Sequence, residues 1–354
     1  MARIAWSVFP LLLAFASGSF LTFTLMLHSM QKSESQKLAE VFASEGRPVE
    51  TGAWRERQRE IIRPQENMKN DRPLNRIDRK LNASIKQSKQ STLFRQDPTK
   101  PYPSDPVQIL CWVMTSPETL QSRASNVRET WGPRCDVTLY MSSESDAAFP
   151  AVGLDVAEGR KALWNKTKAA FRYIHEHHLN DANWFMKADD DTYVIVENLR
   201  NFLRDKNSSE PVYYGHHFKK YIKRGYMSGG AGYVVSREAL ERLTHQLREQ
   251  ENCGAPSILT QAEDVSLGLC MMKAGVTAGD SRDDKNRSRF LPFDVETFYS
   301  NNLPDWYFHF AKYPVKQDRD CCSDSLISIH YVNDRVSMLL LDYYIHGLQP
   351  WPVG

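Results

Sequence analysis

Two stretches of this chain, 107–114 (VQILCWVM) and 184–188 (WFMKA), are nearly unbroken apolar runs, without the alternation of a half-solvated strand. Such runs mark strands covered on both faces, as found where helices pack above and below a mainly parallel sheet. The intervening sequence supplies those helices. Over 161–178, Leu163, Thr167, Ala170, Phe171 and Ile174 recur at helical spacing and define one buried face. Segments 194–203, 237–247 and 263–273 read as further helices, and 137–141, 212–215, 232–235, 276–278 and 326–332 as strands. Ser116-Pro117-Glu118 predicts another helix start, with Ser as N-cap, Pro at the first position and an acid in the first turn. The alternation implies an α/β fold with a mainly parallel central sheet flanked by helices. In such sheets ligands bind beyond the carboxyl ends of the strands.

The first hundred residues have a different character. From Ile4 to Leu27 there is no charged residue, a length that spans a hydrocarbon core of about 30 Å. The short flank 1–3, with Arg3, predicts a cytosolic tail before a transmembrane signal-anchor at 4–27. A cleaved signal peptide ending at Ala14-Phe15-Ala16 is the alternative. Residues 28–104 are polar and proline-bearing and read as a stem, followed by a lumenal domain over 105–354. Cys111, Cys135, Cys253, Cys270, Cys321 and Cys322 all lie in that domain, an even set that predicts disulfides of open pairing. Sequons at Asn82, Asn165, Asn207 and Asn286 agree with a secretory route. The stem carries 16 basic against 10 acidic residues and the domain 28 against 33, so the body lacks the basic footprint of a nucleic-acid binder.

Chemistry concentrates at four places. The apolar run at 184–188 leads directly into Asp189, Asp190 and Asp191, three carboxylates that repel one another unless a cation neutralises them. Hard divalent ions prefer such ligands and sit between carboxylates and substrate phosphates. An EF-hand is excluded because Val194 stands where its glycine belongs, and a DxDxT phosphatase signature because Tyr193 stands where its threonine belongs. The second place, Gly229-Gly230-Ala231-Gly232, lets backbone approach a ligand closely, and it is neither a P-loop nor a dinucleotide fingerprint. The third is Glu263-Asp264 at a predicted helix start, where acids also serve as dipole partners. The fourth is His330 in a late strand, a structural hydrogen-bonder or a ligand.

With ILCWVMT at 109–115, Arg128-Glu129-Thr130-Trp131, FPAVGL at 149–154, WFMKADDDTYV at 184–194, GYMSGGAGYVVS at 225–236, AGDSRD at 278–283 and CCSD at 321–324, the domain resembles the core 1 β1,3-galactosyltransferases of glycosyltransferase family 31. That resemblance implies a GT-A-like fold, a type II Golgi membrane protein with a lumenal catalytic domain, UDP-galactose as donor, and GalNAc-α-Ser/Thr glycoproteins as acceptors. It also implies Mn²⁺, a homodimer and a dedicated chaperone as partner. A chaperone paralogue shares the body plan without the acidic triplet; other β1,3-transferases of the family, N-acetylglucosaminyl or fringe-like, are the nearest alternative activities. By resemblance, Asp189, Asp190, Asp191 and His330 hold the metal. Asp264 is the catalytic base, with Glu263 a weaker candidate. Met114, Thr115, Arg128, Lys187, Gly229, Gly230, Ala231 and Gly232 line the nucleotide-sugar.

Overall fold

The computed structural model describes residues 106–253 and 262–348, all within Asp105–Gly354, the second of the two units into which the chain divides. The predicted tail, anchor and stem, together with Asn82, lie outside the described residues. Among the described residues no helix is long and apolar enough to cross a membrane.

Strand β1 (Ile109–Met114) leads through a π-helical turn, Leu120–Ala124, into α1 (Ser125–Glu129), followed by β2 (Val137–Ser142), β3 (Ala151–Gly153), α2 (Leu163–His177), β4 (Trp184–Asp189), β5 (Tyr193–Val194) and α3 (Val196–Leu203). Next come β6 (Val212–Gly215), β7 (His217–Phe218), β8 (Tyr226–Met227), β9 (Tyr233–Ser236), α4 (Arg237–Glu249) and α5 (Glu263–Lys273). The chain continues as β10 (Thr277–Ala278), β11 (Phe290–Leu291), α6 (Val295–Tyr299), α7 (Asp305–Phe310), β12 (Ser328–Ile329) and α8 (Arg335–Asp342).

The main sheet has the order β10-β6-β9-β4-β1-β2-β3. Every residue of β1 is buried, as its unalternating sequence requires. Trp112 meets Phe171 of α2 edge-on at 5.2 Å, and the helix face expected from the sequence joins the same core through Ala170 and Ile174. Thr167 is buried as well, while Leu163 is only half-buried. Parallel pairing of β1 with β4 sets Met114 opposite Asp189, so both strands end at one edge. The sheet is not wholly parallel: β9 runs antiparallel to β4 and β6. That reversal has a local consequence. The loop entering β9, residues 229–232, arrives at the edge where β4 delivers the three aspartates.

A second sheet, β11-β12-β5, completes that edge. Antiparallel pairing of Ile329 with Tyr193 carries His330 to the level of the triplet, and the Val332 amide donates to the Asp191 carbonyl at 2.8 Å. Only Ser328 and Ile329 of the predicted strand at 326–332 pair as a strand, because Tyr331 takes a left-handed conformation (φ 61°) that ends it. The helix predicted at Ser116 begins at Leu120 instead. The Ser116 carbonyl accepts from Thr119 and Leu120, and its amide donates to the Thr119 hydroxyl at 3.1 Å, closing a turn before any helix. Likewise Val194 belongs to β5, and α3 starts two residues later.

All six cysteines form disulfides: Cys111 with Cys135, Cys253 with Cys270, and the adjacent Cys321 with Cys322. The first ties β1 to the segment after α1, and the second ties the segment after α4 to α5. Asn165, Asn207 and Asn286 are exposed, Asn165 on the wet face of α2.

Candidate active site

The end of β4 distributes the three aspartates differently. Asp190 turns into the protein: its amide donates to the Met114 carbonyl at 3.1 Å, and its Oδ2 accepts from the buried Thr115 hydroxyl at 2.8 Å. Burial, with its two charged neighbours, pushes its carboxyl up to about 6. Asp189 and Asp191 instead converge with His330, their ligand atoms lying within 4.8 Å of one another. The expected metal set of four is therefore drawn together as three, with Asp190 held by Thr115.

His330 shows why this trio suits a cation. Its Nδ1 lies 3.1 Å from the Pro292 carbonyl, which can only accept, so Nδ1 carries a proton. In the neutral ring Nε2 is then a lone pair, and it faces Asp191 Oδ1 at 3.4 Å. Two acceptors at that separation repel unless a proton or metal ion lies between them. A backbone carbonyl fixing one nitrogen while the other is offered outward is the usual arrangement of a ligating histidine. Gly230 packs against this ring so closely that any Cβ there would collide with it, and its carbonyl accepts from the Thr192 hydroxyl at 2.9 Å.

The glycine loop also reaches the acids of α5. The Gly229 amide donates to Asp264 Oδ2 at 3.3 Å, and a Cβ on Gly229 would lie 2.6 Å from Glu263. Glu263 and Asp264 open α5 without a side-chain cap from Ala262, so their charges complement the helix N-terminus. Their surroundings differ. Glu263 is buried, accepts from the Tyr233 hydroxyl at 2.7 Å, and is pushed up to about 7, chiefly by burial. Asp264 is half-buried, and burial also raises its carboxyl.

Against these five carboxylates the immediate surroundings set two permanent cations. Lys187, 3% exposed, donates from Nζ to Asp189 Oδ1 at 2.6 Å and to the Gly229 carbonyl at 2.9 Å. Burial works against its charge, but Asp189 and Glu263 outweigh it and hold its pKa above the usual value. Arg123, on the π-helical turn, reaches within 3.8 Å of Asp190 and 3.5 Å of Asp191 and is 38% exposed. The excess of negative charge leaves room for a divalent ion.

Of the nucleotide-side expectations, Met114 and Thr115 lie at the edge with the triplet. Ala231 accepts from Ser328 at 2.5 Å through its carbonyl, and Gly232 adopts φ 74°, where a Cβ would lie 2.7 Å from the Lys187 carbonyl oxygen. Arg128 is exposed, with its guanidinium over the Phe149 ring at 4.4 Å. The arginine beside the aspartates is Arg123, one turn earlier, which sequence reasoning missed because nothing in the letters separates the two. Tyr331, stacked on His330 at 3.9 Å and 44% exposed, was also missed.

Residues 105–281 match the Fringe-like family. The chain is 46% identical over 250 residues to glycoprotein-N-acetylgalactosamine 3-beta-galactosyltransferase 1 of Xenopus laevis, covering 70% of this chain and 68% of that protein. It is 31% identical over 185 residues to chondroitin sulfate synthase 3 of Mus musculus, covering 47% of this chain and 20% of that one. Among solved structures, the galactosyltransferase LgtC in complex with donor and acceptor sugar analogs aligns with 69% of this chain and 97% of its own, at 10% identity and a TM-score of 0.37.

Proposed function

Because the chain belongs to the Fringe-like family, in the branch of glycosyltransferase family 31 that contains the core 1 β1,3-galactosyltransferases, we propose that it transfers galactose from UDP-galactose to the 3-hydroxyl of N-acetylgalactosamine α-linked to Ser or Thr. The observation that carries the reading is the convergence of Asp189, Asp191 and His330 beside a glycine loop whose first residue is hydrogen-bonded to Asp264. The same reading places the domain in the Golgi lumen, tethered by 4–27 and working as a homodimer.

The donor set fits a divalent ion: two carboxylates, an imidazole whose Nδ1 is held by the Pro292 carbonyl while Nε2 faces Asp191, and a surplus of negative charge. Asp189, Asp191 and His330 would hold it, Mn²⁺ by family resemblance, and when bound it supplies positive charge that stabilises the departing diphosphate. Arg123, half-exposed at the rim, stands where a phosphate would meet it. Asp264 is the base: it accepts the proton of the acceptor's 3-hydroxyl while that oxygen bonds to the anomeric carbon. UDP leaves with the electrons of the broken bond. Attack opposite the leaving group inverts α to β in one displacement, so a single base suffices. The raised pKa of Asp264 strengthens it as a proton acceptor. Glu263 is less suited, since Tyr233 occupies its carboxylate and it is closed off from solvent.

The test is incubation of the purified chain with a GalNAc-peptide and, separately, UDP-galactose, UDP-N-acetylglucosamine and UDP-glucose, with and without Mn²⁺. Mn²⁺-dependent galactose incorporation in β1,3 linkage supports the proposal. Incorporation of another sugar assigns the chain to a different specificity of the same family, and transfer from no donor points to the chaperone role.

A further inference from the structure

We propose that Lys187 is a positioning residue, which locks the metal-side carboxylate and the base-side loop into one register, and not a contact to the nucleotide. The inference rests on the galactosyltransferase reading. Lys187 is 3% exposed, so its ammonium reaches no bound nucleotide without displacing the loop above it. Two of its three protons are committed to oxygens from opposite halves of the site: Asp189 Oδ1 at 2.6 Å and the Gly229 carbonyl at 2.9 Å. Gly229 passes the constraint on, because its amide holds Asp264 Oδ2 at 3.3 Å. Strand pairing fixes the strut from behind. Lys187 lies opposite Tyr233 in the β4–β9 ladder, its ammonium is 5.8 Å from that ring, and the Tyr233 hydroxyl binds Glu263 at 2.7 Å. One buried charge thus joins β4, the glycine loop and the start of α5. Without it, the Gly229 carbonyl loses its buried partner, and the distance between the base and the reacting centre is no longer fixed.

The experiment compares wild type, Lys187→Met and Lys187→Arg for transfer kinetics, for UDP binding in Mn²⁺ by calorimetry, and for thermal unfolding. Lys187→Met is expected to fold and to bind UDP within about threefold of wild type, while kcat falls about a hundredfold, the order of loss for a small misplacement of reacting groups. Lys187→Arg, which keeps the charge but cannot set one ammonium between both oxygens, is expected to recover part of kcat. Undiminished kcat in Lys187→Met overturns the inference. So does a rise in KM for UDP-galactose at constant kcat, which would make Lys187 a donor contact. Should Lys187→Met fail to fold, full kcat in Lys187→Arg reduces the residue to a structural charge and also overturns it. A wild type that transfers from no UDP-sugar defeats the underlying functional reading instead.

Discussion

In the proposed mechanism Asp191 and Asp264 act on different steps, and their removal should separate them. Asp191→Ala takes away one of three converging ligands but leaves its backbone carbonyl, which holds Val332, in place. The variant is therefore expected to keep its near-ultraviolet circular dichroism and lose Mn²⁺-dependent transfer by about a hundredfold or more; ordinary activity would remove Asp191 from the metal site. Asp264→Asn preserves the shape and a hydrogen-bonding oxygen for the Gly229 amide, yet cannot take a proton. UDP affinity should stay near wild type while kcat falls by about 10²–10⁴, and an unchanged kcat would place the base elsewhere. The acidic triplet was legible because adjacent carboxylates are costly without a cation. The separate fate of Asp190 was not legible, since it depends on Thr115, 75 residues away in sequence and brought close only by the β1–β4 register.

At the scale of elements, the glycine loop owes its position to the antiparallel run of β9. A parallel strand there would deliver the loop to the far edge of the sheet. The sequence showed dense glycines but not the direction of the following strand, because a short buried strand reads alike in either sense. Of the glycines in this loop Gly230 has the least room, as a Cβ would strike the His330 ring. Gly230→Ala should displace that imidazole. Metal-dependent UDP binding is expected to weaken about tenfold or more, with thermal stability lowered by about 1–3 kcal/mol for the overpacking. Unaltered UDP binding by calorimetry would show that His330 is free to move. The long strands β1 and β4 were readable as unbroken apolar runs, and the helices α2 and α4 because their apolar residues recur at helical spacing. Helices α6, α7 and α8 were not read, for a physical reason. The first two are 5 and 6 residues long and packed by aromatic contacts such as Phe293 with Tyr307. The third leaves Val336 and Leu340 exposed, contrary to the amphipathic pattern that marks a helix in sequence.

Across the described domain, the segment that follows α8 is fastened near the site by charge. His346, after α8, lies 3.1 Å from Glu197 of α3 and 3.4 Å from Asp342, with the Tyr193 hydroxyl at 3.3 Å. Arg134 closes the group at 3.4 Å from Glu197 and 3.1 Å from Asp342. Burial works against the imidazolium, but the bonds to Asp342 and Glu197 prevail and raise His346 above 6.5. Burial likewise opposes both carboxylates, and His346 with Arg134 outweighs it, holding Glu197 below 4.5 and Asp342 below 3.8. The signs then define a window. The depressed carboxylates contribute stability above their ordinary values and lose it as pH falls through the lowered ones. The raised histidine contributes fully below its ordinary value and loses its share as pH rises through its folded pKa. The latch is therefore strongest between about pH 4.5 and 6.5 and weakens in alkali. His346→Gln should lower the melting temperature most in that window, by a few degrees for a loss of about 1–2 kcal/mol. Above the raised folded pKa the variant and wild type should converge, as the imidazole is then deprotonated in both the folded and unfolded chain. Thermal melts from pH 5 to 9 check this, and a difference that stays constant across the range would mean that His346 contributes packing and not charge.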